Sequence, residues 1–186
     1  MIYRHFLIGT TLAAVTALAA VGAGSPRMSV AKPATQPMLA VHTVEAAPAA
    51  GLLPLQEFRT AGGWFYTLNP GEATNAVQQF KFSKSANIGM LHATASPGSV
   101  AIHRLRVKTG APSYLLSISP AEIKDPRFVD EGVVGYADGA QHPGQLRLLR
   151  FSNQGKWRVL ADGTANVANM KAMGYAVDGP LGWFQP

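Results

Sequence analysis

Histidines, alternating arginines and evenly placed aromatics are the residues of this chain with chemistry to offer. The histidines beyond the first few residues are His42, His92, His103 and His142. A hydrolase needs a nucleophile or an activated water with a positioned base. No His-x-x-Glu-His, no Gly-x-Ser-x-Gly and no histidine pair at metal-ligand spacing is present. His103 falls in a strand beside Arg104 and His142 in a turn before Pro143, so both read as structural or surface residues. Asp130 and Glu131 are adjacent, which on a strand turns their carboxylates to opposite faces and is poor geometry for an acid/base pair. No cofactor and no metal set is expected. Without cysteine, disulfides, thiolate metal sites and a thiol nucleophile are all excluded.

Two groups remain as ligand-binding candidates. Arg104, Arg106 and Lys108 alternate and so share one face of a strand, a theme repeated by Arg147, Arg150, Lys156 and Arg158. A basic face with aromatics nearby can hold a polyanion; alternation is also the ordinary pattern of a solvated sheet face. Trp64, Tyr114 and Trp157 occupy one position in three copies of a motif, with Tyr66 two residues after the first. They either plug a core or line shallow pockets that stack on sugar rings, since an aromatic face presents apolar area with a polar rim.

The elements that must position these residues are written three times, over 53–98, 99–144 and 145–186. Each copy opens with an alternating strand in which Phe58, Leu105 and Phe151 recur about 46 residues apart. A second strand led by Trp64, Tyr114 or Trp157 follows, then a helix start at Asn69-Pro70-Gly71-Glu72, Ser119-Pro120-Ala121-Glu122 or Asp162-Gly163-Thr164. Asn69 and Ser119 suit N-caps, the prolines suit the first helical position, and Glu72 and Glu122 complete capping boxes. Each copy closes on a glycine between apolar residues: Gly89, Gly135, Gly182. Two closing strands per copy are expected, 80–83 with 88–93, 127–130 with 133–137 and 175–177 with 181–184, joined by polar or Gly-containing turns. Four strands per copy give about twelve. The expected fold is therefore mainly β with short helices, a three-fold repeat that is β-trefoil-like, with an open three-repeat β array as the alternative.

These motifs resemble the secreted repeat domain of unknown function catalogued as DUF5648. The residues that carry the resemblance are Trp64-Phe65-Tyr66-Thr67 with Glu72 in the first copy, Glu122 and Glu131-Gly132-Val133-Val134-Gly135-Tyr136 in the second, and Asp178-Gly179 with Gly182-Trp183 in the third. Where that family usually has a histidine before its Phe-Tyr-Thr run, this chain has Trp64, Tyr114 and Trp157. The resemblance implies an accessory binding module of exported proteins and no particular reaction.

Export is also the reading of the N-terminus. Residues 1–23 have the form of a signal peptide, with Arg4 and His5, an apolar run and Val21-Gly22-Ala23 as a cleavage site. An uncleaved run of about 18 apolar residues would just span a bilayer, so a membrane role arises only in that case. Residues 24–50 are rich in Ala and Pro and read as a disordered linker. The expected protein is secreted or periplasmic. The formal charge is +6, which favours anionic surfaces through long-range attraction or simply serves solubility. Together these features point to an exported non-catalytic binding module for carbohydrate or an anionic cell-envelope polymer. The alternative is an interaction or inhibitor domain acting on a secreted protein partner. A hydrolase and a nucleic-acid binder fit less well.

Overall fold

Leu55, Ile102 and Leu148 stand at one position in the three copies, and all are fully buried in a single apolar cluster. Tyr66, Leu116 and Val159 form a second such set, and Leu91, Ala137 and Phe184 a third. Alternation along a strand puts these residues on one face, and a unit of this size cannot bury that face alone. The three copies bury it against one another.

The computed structural model describes residues 51–186, so the expected signal peptide at 1–23 and linker at 24–50 lie outside the described residues. Each copy folds as strand, strand, helix, strand. The first comprises β1 (Leu52–Arg59), β2 (Trp64–Thr67), α1 (Pro70–Gln78) and β3 (Ser83–His92). The second comprises β4 (Ser99–Val107), β5 (Tyr114–Ser117), α2 (Pro120–Ile123) and β6 (Phe128–Asp138). The third comprises β7 (Leu146–Asn153), β8 (Lys156–Ala161), α3 (Thr164–Ala172) and β9 (Ala176–Phe184). Asn69 caps α1 as expected, accepting from the backbone N–H of Gly71 and Glu72. Ser119 makes no side-chain cap to α2. Gly174, at φ 80°, ends the third helix in the left-handed conformation that favours glycine.

The closing strands correct the expected count. In the second and third copies each expected pair is one long strand, whereas in the first 80–82 lie outside any strand and only Ser83 joins β3, giving a 9-stranded sheet rather than twelve strands. The segments expected as turns survive as irregularities: β3, β6 and β9 each shift register twice against β1, β4 and β7. Gly132 and Gly179, at φ 95° and 145°, take up two of these shifts. Such bulges bend a strand without ending it, so no separate hairpin forms. The strands run antiparallel in the order β2-β1-β3-β6-β9-β7-β8, with β4 pairing with β6 and β5 with β4. The described residues thus form a mainly β fold, an open antiparallel sheet with three short helices, and this strand order shows neither a trefoil nor a closed barrel.

Copies touch through three short bridges between their long strands: His92 with Tyr136, Asp138 with Trp183, and Met90 with Gln185. The repeated glycines explain themselves here. A Cβ on Gly135 would meet Leu68 Cδ1 at 2.5 Å and the His92 carbonyl oxygen at 3.2 Å. At Gly182 it would lie 3.0 Å from the Asp138 carbonyl oxygen, and at Gly89 2.6 Å from that of Gln185. Those three carbonyls are again one position in three copies. A neighbouring strand end occupies the space a side chain would need.

Candidate functional site

The chemistry of the chain collects at the seams between copies. At the first seam the Arg104 guanidinium spans two copies. Its Nη1 donates to Glu72 Oε2 at 3.0 Å and to the Tyr66 carbonyl at 2.9 Å, its Nη2 to Glu72 Oε1 at 2.9 Å, and its Nε to Glu131 Oε2 at 2.8 Å. Thr67 holds Glu72 from its own copy, donating to Oε2 at 2.6 Å. The second seam repeats every contact. Arg150 Nη1 donates to Glu122 Oε2 at 2.7 Å and to the Leu116 carbonyl at 3.1 Å, Nη2 to Glu122 Oε1 at 2.8 Å, and Nε to Asp178 Oδ2 at 2.9 Å, while Ser117 donates to Glu122. The helix-start glutamates therefore hold the arginine of the next copy.

Burial lowers the Arg104 pKa, but the hydrogen bonds and charges of Glu72 and Glu131 outweigh it and the guanidinium ends above its ordinary value. Arg150 behaves alike, with burial opposed by Glu122 and Asp178. Burial raises Glu122, and the hydrogen bonds from Arg150 and Ser117 overcome that, leaving it below the usual carboxylate range.

The third seam inverts the charges. Its helix carries Asn166 at the third helical position, where the other copies have Glu72 and Glu122, and the first copy places Glu57 where the others have Arg104 and Arg150. An arginine opposite would have no carboxylate to meet. Instead Arg158, standing where the other copies have Phe65 and Leu115, donates from Nε and Nη2 to Glu57 at 3.0 Å each. Tyr66 donates its hydroxyl to Glu57 Oε2 at 3.1 Å and accepts from the Val159 N–H at 3.1 Å. Burial, then the Glu57 charge, raises the Tyr66 pKa well above its ordinary value.

The aromatic candidates serve these same seams. Tyr114 is 1% exposed and enters the cluster of Phe58, Phe65, Ala73 and Ala76 in the first copy, edge-on to Phe65 at 5.1 Å. Trp157 is half-buried against Leu105, Leu115 and Phe128 of the second copy, edge-on to Phe128 at 5.7 Å. Trp64 is half-buried with the Arg158 guanidinium 4.1 Å above its ring. Each thus reaches toward the preceding copy. Tyr66 and Tyr114 are buried and have no free surface for a ligand; of the aromatic candidates, Trp64 and Trp157 keep some. Arg104 is buried in its clamp, and Arg106 Nε donates to Glu131 Oε1 at 2.9 Å. Neither arginine lies on a solvated basic face. The partners Glu57, Glu131 and Asp178 were not evident as a set in the sequence; the signal for it is the reciprocal exchange of Arg for Glu at position 57.

One seam opens to solvent. Beside the Arg150 clamp lies a cleft of about 270 Å³ lined by Ser117, Ile118, Ser119, Glu122, Arg150 and Asp178, with Pro180 and Leu181 adding apolar surface. Because Ser119 does not cap its helix, its hydroxyl is available there. Ile118 is 37% exposed at the margin.

Two histidines pair with aspartates. His103 Nδ1 lies 3.0 Å from Asp130 Oδ2. His92 Nε2 lies 3.3 Å from Asp138 Oδ1 across the first seam, and Gln145 donates to Asp138 Oδ2 at 2.5 Å. Neither imidazole has a serine or threonine hydroxyl among its partners in the described residues. Those residues also contain no group of three or more His, Asp or Glu side chains placed to hold a metal ion, and no helix long and apolar enough to cross a membrane.

No protein-family model matches the chain, and no curated protein or solved structure matches it either.

Proposed function

We propose that the chain is an exported, non-catalytic module that binds carbohydrate or a cell-envelope polymer in the cleft between its second and third copies. The observation that carries the reading is the make-up of that cleft. Two carboxylates, Glu122 and Asp178, are fixed by one guanidinium; Glu122 Oε1 and both Asp178 oxygens each accept one bond and retain a lone pair beyond it, whereas Glu122 Oε2 is filled by Arg150 and Ser117. Fixed acceptors, the Ser119 hydroxyl and a nearby apolar margin are what a ligand bearing several hydroxyls on a carbon ring requires. Preorganisation by Arg150 spares the site the cost of ordering its acceptors on binding. The resemblance to a secreted repeat domain, and the export signal read at 1–23, agree with this role. The test is retention of the purified protein on insoluble peptidoglycan, chitin and cellulose, at low and high salt. Retention that survives high salt and falls with Ser119→Trp, which fills the cleft, is the expected result. Failure to bind any of the three polymers would overturn it and favour a secreted protein partner.

A further inference from the structure

The clamps of the first two seams share their contacts and differ in one neighbour. At the first seam a second guanidinium, that of Arg106, also donates to Glu131, so two arginines face the two glutamates Glu72 and Glu131. At the second seam Ser152 stands where Arg106 stands, paired across the strands with Trp157 as Arg106 is with Tyr114. Its hydroxyl donates to Asp178 Oδ1, as Arg106 does to Glu131 Oε1, but brings no charge. One guanidinium is therefore set against two carboxylates. Among the described residues, Arg150, Glu122 and Asp178 are the charged groups that line the cleft, which leaves it one uncompensated negative charge.

We propose that the cleft selects a sugar carrying a free amine, whose ammonium pairs with the Asp178 and Glu122 carboxylates that Arg150 holds in place. The inference rests on the reading of this cleft as a polymer-binding site and names the class of sugar it takes. An ammonium offers three donors and no acceptor, and Glu122 Oε1 and the two Asp178 oxygens are acceptors with a lone pair to spare. A neutral acetamide in its place would leave the charge of the cleft unmatched as it displaces water. A metal cation fits less well: calcium takes about six to eight oxygens, and two carboxylates bridged by a guanidinium do not supply them. Burial raises the Glu122 pKa, but hydrogen bonds from Arg150 and Ser117 keep it below the usual carboxylate range. The site thus stays anionic at the mildly acid pH at which a sugar amine holds its proton. The chain as a whole is positive, at +6, and repels a polycation at long range, so attraction of an amine has to come from the cleft itself.

The test titrates the full chain, by calorimetry at mildly acid pH, with a glucosamine tetramer and with its fully N-acetylated counterpart. The free-amine tetramer is expected to bind at least about tenfold tighter, the scale of one hydrogen bond to a charged group. Ser152→Arg gives the second seam the charge balance of the first and is expected to erase that preference. Asp178→Asn, which keeps the shape of the side chain, is expected to do the same, with melting temperature reporting that each variant is folded. Gln78→Arg, a charge change like that of Ser152→Arg at an exposed position of α1, is expected to keep the preference. Equal affinity for the two tetramers would overturn the amine and leave the cleft a site for neutral sugars, whereas binding of neither would overturn the cleft reading as well. A preference that survives both Ser152→Arg and Asp178→Asn, or is lost equally in Gln78→Arg, would overturn the site. A lysine tetrapeptide that binds as tightly as the glucosamine tetramer would overturn the sugar as the source of the amine.

Discussion

Arg104 and Glu72, 32 residues apart in the chain, form a two-pronged pair across the first seam, and the same pair recurs one copy later as Arg150 and Glu122. Removing one partner of a buried ion pair leaves the other charge desolvated and unmatched. Arg104→Ala is expected to destabilise the fold by about 3 kcal/mol, read as a lower urea midpoint. Arg150→Ala is expected to cost less, since Glu122 and Asp178 are each more open to water than their counterparts Glu72 and Glu131. Equal costs would mean the two clamps are not graded by burial.

The inverted seam makes a different prediction. Swapping the charges, Glu57→Arg with Arg158→Glu, reverses the pair, but Tyr66 then faces an arginine where its hydroxyl now donates to a carboxylate. Each single substitution is expected to be far worse than the double, by about 1–3 kcal/mol in a double-mutant cycle. A coupling near zero would show that Arg158 acts only by stacking on Trp64.

Stability should fall at both ends of the pH scale. Burial raises Asp138, but hydrogen bonds from Gln145 and His92 and the charges of His92 and His142 prevail, so its folded pKa is depressed, as is that of Glu122. Depressed carboxylates stabilise the fold above their unfolded pKa of about 4, and that contribution is lost as pH falls through the folded values. Tyrosines go the other way. Burial pushes Tyr114 up to about 12 and raises Tyr66 as well; their contribution is full below the unfolded pKa of about 10 and is lost as pH rises through the folded values. Melting temperature followed from acid to alkali should show both declines, and Tyr114→Phe should flatten the alkaline one.

Gly135 carries one of the close approaches between the first two copies. Gly135→Ala forces its new methyl group onto Leu68 Cδ1 and the His92 carbonyl, and overpacking of this kind costs about 1–3 kcal/mol. Adding Leu68→Ala removes one of the two obstacles, so the second substitution should cost less in the Gly135→Ala background than alone. Strictly additive costs would indicate that the carbonyl alone sets the limit.

How much of this was legible depended on whether a residue acts within its copy or between copies. The alternation around Phe58, Leu105 and Phe151 predicts strands correctly because a strand's buried face is set locally. Asn69 reads as a cap because its acceptor serves the next few N–H groups. By the same local logic Glu72 and Glu122 suit capping boxes, but an arginine one copy away provides a charged partner that a backbone N–H cannot match. The turns at Glu131-Gly132 and Asp178-Gly179 misled likewise: glycine there signals a change of direction, and only pairing with β4 and β7 decides between a hairpin and a bulge.

Trp157 tests whether the repeated aromatic is a plug or a platform. Its ring closes the outer cluster of the second copy from the third, against Phe128, and its removal would open a cavity that its neighbours fill only in part. For a half-buried indole the expected cost of Trp157→Ala is about 2–3 kcal/mol, below the range for a fully buried one. Trp157→Phe should recover most of it, because an edge-on aromatic contact with Phe128 can persist. A sugar platform gives the opposite pattern, with stability nearly unchanged in Trp157→Ala and polysaccharide retention lost. Unfolding and retention measured on the same two variants separate the alternatives, since packing predicts that retention, corrected for the folded fraction, survives in both.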